Sequence, residues 1–253
     1  MSATPEIRVV GITGLPEVTP GSDLVGLILE GMSRHDLRLH DRDVLVVTQK
    51  VVSKSEGRLV RLSEVKPSPL AEAFAKDGNR DPRSVEIVLG QARRIVKMDR
   101  GILIAETAQG MVCAHAGVDA SNVPNLDDVA LLPADPDRSA ANVRSSIRER
   151  VGVDVAIIIS DTFGRPWREG LVNVAIGVDG IAPLVDYRGQ RDPQGRPLLA
   201  TVIAVADELA SAAELVMGKL DRVPVALIRG YPSAPTRGKA VDLVRAADKD
   251  LFR

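Results

Sequence analysis

Three observations predict an α+β protein of mixed sheets. Short apolar runs rich in β-branched residues, such as Asp43–Thr48 (DVLVVT) and Val153–Ile159, recur between turn residues and read as buried strands. Helical periodicity separates some of them, most clearly over Ala204–Leu220, where Leu209, Ala213, Val216 and Leu220 share a face. The two kinds of segment interleave irregularly, which fits a mixed α/β or α+β arrangement better than a regular doubly wound sheet.

Taken in order, Ile7–Val10 reads as a first strand, and Gly11–Gly21 (GITGLPEVTPG) as a loop punctuated by glycine and proline. Ser22 can cap a helix through Met32, with Leu24, Leu27 and Ile28 on its apolar face. Asp43–Thr48 is a buried strand. In the QKVVSKSEGR that follows, the Val51-Val52 pair favours continued strand over helix. Lys50 and Lys54, four apart, could hold phosphates or be solvated edge charges. Leu70–Lys76 suggests a helix, and Asp81-Pro82 opens another running to Arg94, a capping residue followed by proline at the first turn. Ile95–Met98 and Gly101–Glu106 form a strand pair, and Met111–Ala114 is a short strand leading into a polar, turn-rich HAGVDASNVPN. Ala130–Pro136 is extended, and Asp137 or Ser139 caps a helix to Val151. Leu171–Ile176 and Ile181–Leu184 flank a turn at VDG. A looped DYRGQRDPQGRPL, the Ala204–Leu220 helix and a last strand at Val223–Ile228 complete the chain.

Composition narrows the function. The net charge is −1 with basic residues spread along the chain, so no electrostatic case exists for nucleic acid or for a membrane surface. One Trp, two Tyr and three Phe are too few for a base-stacking binder, and they leave Val, Ile, Leu and Ala to build the core. A single cysteine, Cys113, excludes an internal disulfide and any multi-cysteine metal site; flanked by Val112 and Ala114, it reads as a small core residue. No signal-peptide pattern and no membrane-length apolar run is present, which predicts a cytoplasmic protein.

The chemistry concentrates in two segments. In IIISDTFGRPWR an apolar run ends in Ser160-Asp161-Thr162, followed by Arg165 and Arg168. A carboxylate beside a hydroxyl suits magnesium or manganese, and arginines suit phosphate or carboxylate. The same pattern also fits a capped strand–turn junction with a surface salt bridge. GVDASN offers a second carboxylate, Asp119, after another apolar strand. Two aspartates meeting at adjacent strand ends could share divalent ions, as in phosphoryl-transfer sites. His35, His40 and His115 are scattered, and no Walker loop, GxGxxG, GxSxG or HExxH occurs.

Seven motifs in order, GLPEVTPG, VVTQKVVSKSEGR, GVDASNV, SDTFGRPWREG, AIGVDG, DYRGQRDPQGR and ADELASAAELVMGK, resemble the coenzyme F420-0:L-glutamate ligase family over nearly the whole chain. The resemblance implies a two-lobed α+β fold spanning residues 1–253, an intertwined homodimer, and no C-terminal nitroreductase-like domain. It implies GTP-dependent joining of L-glutamate to the F420 precursor, with further γ-linked glutamates in many members. A divalent cation, Mn2+ or Mg2+, is implied as cofactor, and a potassium ion is admitted.

Carried over residue by residue, the resemblance makes Leu15, Pro16, Glu17 and Val18 the N-terminal nucleotide loop, and Gln49, Lys54 and Asn122 nucleotide contacts. Asp119 and Asp161 become ligands of one metal and Thr162 of a second. Met217–Pro224, with Met217, Gly218 and Lys219, becomes a further nucleotide segment. Archaeal members tend to carry Gln where this chain has Lys219, so that position departs from the pattern. Lys54 and Arg165 are the expected catalytic cations, and Arg168 or Arg188 suits a substrate carboxylate by chemical type. Competing readings are a metal-dependent phosphohydrolase or kinase, and a non-catalytic nucleotide-binding module.

Overall fold

The computed structural model describes residues 4–232, 236 and 238–250. Twelve strands are present among the described residues: β1 Arg8–Ile12, β2 Val44–Thr48, β3 Leu59–Arg61, β4 Ala92–Asp99, β5 Ile102–Thr107, β6 Val112–Ala114, β7 Asp128–Ala130, β8 Ala156–Arg165, β9 Arg168–Asp179, β10 Val185–Asp186, β11 Val202–Ile203 and β12 Val225–Arg229. Six α-helices accompany them: α1 Leu24–Ser33, α2 Gln49–Ser55, α3 Pro69–Gly78, α4 Pro82–Gln91, α5 Pro136–Val151 and α6 Val205–Met217. The architecture is α+β with mixed sheets, as the sequence predicts.

The main sheet runs β1-β12-β2-β8-β9. Only the β2–β8 pair is parallel; its neighbours are antiparallel. Both faces of this sheet are covered, which is why its strands read as continuous apolar runs rather than alternating ones. Leu45, Val47, Ile157 and Ile159 face α1 and α5, through Ile28, Met32, Val143 and Ile147. Val44, Val46 and Ile158 face α6, through Leu209, Ala210 and Ala213. A three-stranded β4-β5-β6 sheet and a β3–β7 pair form a second, smaller packing unit with α3 and α4. Among the described residues no helix is long and apolar enough to cross a membrane.

Several expected boundaries move, each for a local reason. Asp23, not Ser22, caps α1 by accepting from Gly26 N–H at 3.1 Å, while Ser22 Oγ accepts from Thr19 N–H. Asp135, not Asp137 or Ser139, caps α5, with Pro136 opening the first turn. Asp137 is used elsewhere: its Oδ1 accepts from Val178 N–H at 2.8 Å and Ala240 N–H at 3.0 Å. QKVVSK is helix, not strand. The turn at Thr48 brings Val52 into the core at 2% exposure, and that packing overrides the β-propensity of two valines.

Helix α4 stops at Gln91, because Ala92–Arg94 pair with β5. Helix α6 stops at Met217, where Gly218 adopts φ +59° and leaves Leu220 87% exposed. Ile181–Leu184 forms no strand, since β9 itself continues to Asp179. Most consequentially, Ser160–Arg165 does not leave the sheet. β8 runs on to Arg165 as the first arm of a hairpin with β9, past the point where β2 ends opposite Ser160.

Candidate active site at one edge of the main sheet

Strand directions decide where the motifs singled out in the sequence meet. β12 is antiparallel to both β1 and β2, and β2 is parallel to β8, so β1, β2 and β8 point the same way. Their carboxyl ends, and the amino end of β12, therefore share one edge of the sheet. Four segments converge there: the loop after β1, helix α2 after β2, Asp161–Thr162 on β8, and residues 217–224 entering β12. Thr48 N–H donates to Pro224 O at 2.9 Å, stitching two of them together.

The loop carrying Leu15–Val18 is anchored at several points. Val18 inserts into the core at 2% exposure, Arg34 donates to Gly14 O at 2.7 Å, and Gly21 N–H donates to Ser55 O at 2.9 Å. Glu17 is thereby placed on the Lys54 ammonium, which is otherwise buried. Gln49 is buried, and its Oε1 accepts from Ser53 Oγ at 2.9 Å within α2.

Asp119 arrives from the smaller packing unit, held by a two-way backbone bridge to Ala130. Its Oδ1 accepts from Ser121 N–H at 2.7 Å and its Oδ2 from Ser121 Oγ at 2.8 Å. The Lys50 ammonium crosses from α2 to the same Oδ2 and also donates to Ser121 Oγ at 2.9 Å and Ser121 O at 2.5 Å. Burial opposes ionisation of Asp119, but hydrogen bonds from Lys50 and Ser121 outweigh it and hold its pKa below the usual range. Burial lowers the pKa of Lys50; Asp119 offsets part of that, and Lys219 lowers it further.

Asp161 faces this cluster. Burial pushes its pKa up to about 6 against a hydrogen bond from Thr162 N–H, the Asp119 charge pushes it further up, and Lys50 and Lys219 pull it down. Thr162, next along the strand, turns to the opposite face as alternation requires. Its hydroxyl donates to Asn173 Oδ1 at 2.8 Å, and Asn173 donates on to Glu214 at 2.8 Å. Among the described residues the Thr162 hydroxyl accepts no hydrogen bond; it lies on the α6 side of the strand and Asp161 on the other.

Of the remaining expected residues, Lys219 is exposed and forms no ion pair among the described residues, but its charge reaches Asp161 and Lys50. Gly218 is called for by its backbone, at φ +59° and ψ −179°, a combination essentially confined to glycine. Met217 is a core residue at 0% exposure, and Asn122 is exposed in a turn at φ +54°. Arg165 is directed into its own hairpin, donating to Glu169 O and, at 3.5 Å, Gly170 O. Arg188 is held by Asp186 in a two-point contact of 2.9 Å and 2.5 Å. Cys113 is buried, its thiol pushed up to about 12 by burial and by Asp161, so it is an inert core group.

Lys50 is the residue that the sequence underweighted. Its signal is the four-residue spacing to Lys54. On a helix that spacing puts both side chains on one face, with Lys50 bound to Asp119 and Lys54 to Glu17.

Comparison with known proteins gives the class first: the chain is an enzyme of the ligase type. The family described as F420-0:Gamma-glutamyl ligase matches residues 13–230, and the chain belongs to that family. A protein of Methanopyrus kandleri is 46% identical over 258 residues, covering 100% of both chains. One of Methanothermobacter thermautotrophicus is 44% identical over 251 residues, covering 98% of this chain and 99% of its own. One of Methanocaldococcus jannaschii is 42% identical over 216 residues, covering 85% and 86%. Each of these relatives is named coenzyme F420:L-glutamate ligase.

Proposed function

We propose that this protein ligates L-glutamate to coenzyme F420-0 at the expense of GTP, through an acyl phosphate, and adds further glutamates through γ-linkages. The observation that carries this reading is the meeting of Asp119 and Asp161, from separate sheets, at the edge where the Leu15–Val18 loop and residues 217–224 also converge. The names of the relatives support the same reading.

The donors suit a divalent cation. Among the described residues no three His, Cys, Asp or Glu side chains converge. Two carboxylates with hydroxyls nearby match a hard ion that completes its shell with phosphate oxygens and water, as magnesium and manganese do. Asp119 and Asp161 would hold one such ion, and Thr162, facing the other way, a second. Bound there, the metal supplies charge neutralisation for the transferring phosphoryl group.

In the first step the precursor carboxylate oxygen attacks the γ-phosphorus of GTP, and the bond to the β,γ-bridging oxygen breaks to release GDP. In the second, the unprotonated glutamate amine attacks the acyl carbon, inorganic phosphate leaves, and the nitrogen loses a proton as the amide forms. Lys54 would hold charge on the phosphoryl oxygens once its ion pair with Glu17 opens. Arg165 would join it after releasing the hairpin carbonyls of Glu169 and Gly170. A homodimer belongs to the same proposal, with Trp167 and Leu171, 78% and 65% exposed on the β8–β9 hairpin, as apolar surface for it. Sedimentation velocity tests that point.

The deciding experiment is mass spectrometry of reactions containing F420-0, L-glutamate, GTP and Mn2+, with single omissions. Glutamyl mass increments that require both GTP and metal support the ligase and count the additions. GTP hydrolysis without glutamylation favours a phosphohydrolase, and the absence of both glutamylation and hydrolysis favours a binding module.

A further inference from the structure

We propose that the Lys50 ammonium is a resident counter-ion of the metal site: it occupies the cation position beside Asp119 until a divalent ion displaces it, and the displaced ammonium then pairs with an incoming phosphate. This deepens the metal and nucleotide reading above and rests on it.

The geometry is specific. Lys50 leaves the first turn of α2, directly after β2, and spans to the Asp119–Ser121 turn of the other sheet system. Its side chain is 14% exposed, and its donors are spent on Asp119 Oδ2, Ser121 Oγ and Ser121 O. Asp119 is equally committed, with Ser121 N–H on Oδ1 and both Lys50 and Ser121 Oγ on Oδ2. A divalent ion on that carboxylate meets an ammonium already in place. The two cations repel at contact distance, so one must leave. The alternative neighbours of Lys50 are Lys219, which repels it, and Asp161, which the metal also claims. A freed Lys50 therefore needs an anion, and the phosphates of the proposed co-substrate are the anions due at this edge. Metal and nucleotide binding are coupled through one side chain, and by linkage each strengthens the other.

The experiment is Mn2+ binding to the full chain, followed by the electron paramagnetic resonance signal of the free ion, with and without GDP. K50M removes the ammonium, and K50Q removes the charge while keeping hydrogen bonds to Asp119 and Ser121, so folding is covered by a second variant. Both should bind Mn2+ alone about tenfold more tightly than wild type, the scale of one charge-assisted hydrogen bond. The tightening of Mn2+ by GDP should shrink in both. K50R, which keeps the charge, should stay close to wild type. Equal Mn2+ affinity in wild type, K50M and K50Q, with binding abolished in D119N, overturns the role of Lys50 and leaves the metal site standing. No Mn2+ binding in wild type or any variant overturns the metal site and this inference with it.

Discussion

Asp119, carried by the turn that bridges to β7, raises the proton affinity of Asp161, carried by β8, so the two carboxylates lie within range of each other's charge. Burial is the larger cause, and together they move Asp161 from 3.8 to about 6. The folded protein thus binds this proton more tightly than the unfolded chain does. The resulting stability is complete below about pH 4 and is lost as pH rises through about 6. In EDTA-treated protein, Asp161→Asn should therefore be more stable than wild type at pH 7, by roughly 1–3 kcal/mol, with the gap closing near pH 4. Urea titrations at both pH values decide it; a variant less stable than wild type at pH 7 contradicts the raised pKa.

Asp43 and Arg229 form the opposite kind of pair, fully compensated. The Arg229 guanidinium donates to both oxygens of Asp43, at 2.8 Å and 2.6 Å, and to Arg38 O at 2.7 Å. Asp43 is 2% exposed and also accepts from His40 N–H at 2.8 Å. Arg229→Ala strands that carboxylate and should cost about 3 kcal/mol, read as a drop in the urea midpoint. Restoring only the charge with Arg229→Lys should recover part of the loss, because the two-point geometry is absent.

Gly177 on β9 lets the start of α5 approach the sheet. A Cβ there would lie 2.4 Å from Pro136 O and 2.5 Å from its carbonyl carbon, both backbone atoms that cannot swing aside. Gly177→Ala should destabilise by about 1–3 kcal/mol and lower the melting temperature accordingly. An unchanged melting temperature would mean that α5 shifts without cost.

Thr107, at the end of β5, is 2% exposed and its hydroxyl has no hydrogen-bond partner among the described residues. Thr107→Val keeps the shape and removes the unsatisfied group, so it should stabilise by roughly 1 kcal/mol. Calorimetry of the variant measures this directly; a loss of stability would place an unseen partner on that oxygen.

The sheet was legible in the sequence where burial was two-sided. Asp43–Thr48 and Val153–Ile159 announce themselves because their central residues, Val44–Val47 and Val155–Ile159, are apolar on both faces, and the same logic placed β12. The site residues Asp119, Asp161 and Thr162 stood out by chemistry. Less legible was anything fixed by distant partners. Ser160-Asp161-Thr162 looks like a strand exit, yet these residues stay in β8 because Ala175, Val174 and Asn173 of β9 pair with them. QKVVSK looks like strand, yet its helix is decided by where Val52 finds a core. Helix caps slipped by a residue or two because Asp and Ser cap almost equally well and neighbours such as Ser22 and Asp23 compete. Lys50 and Lys219 could not be ranked as site residues from spacing alone, since their importance comes from carboxylates far away in the chain.

The position of β12 between β1 and β2 has a consequence for how the chain comes to life on the ribosome. Neither β1 nor β2 pairs with the other directly, so the end carrying the Leu15–Val18 loop stays open until Val225–Arg229 has emerged. The first strand waits for the twelfth. Such high contact order makes for slow closure and leaves apolar strands uncovered in the meantime. Completion of this sheet, and of the end where the Leu15–Val18 loop and residues 217–224 meet, therefore follows the emergence of β12 rather than that of β1 or β2.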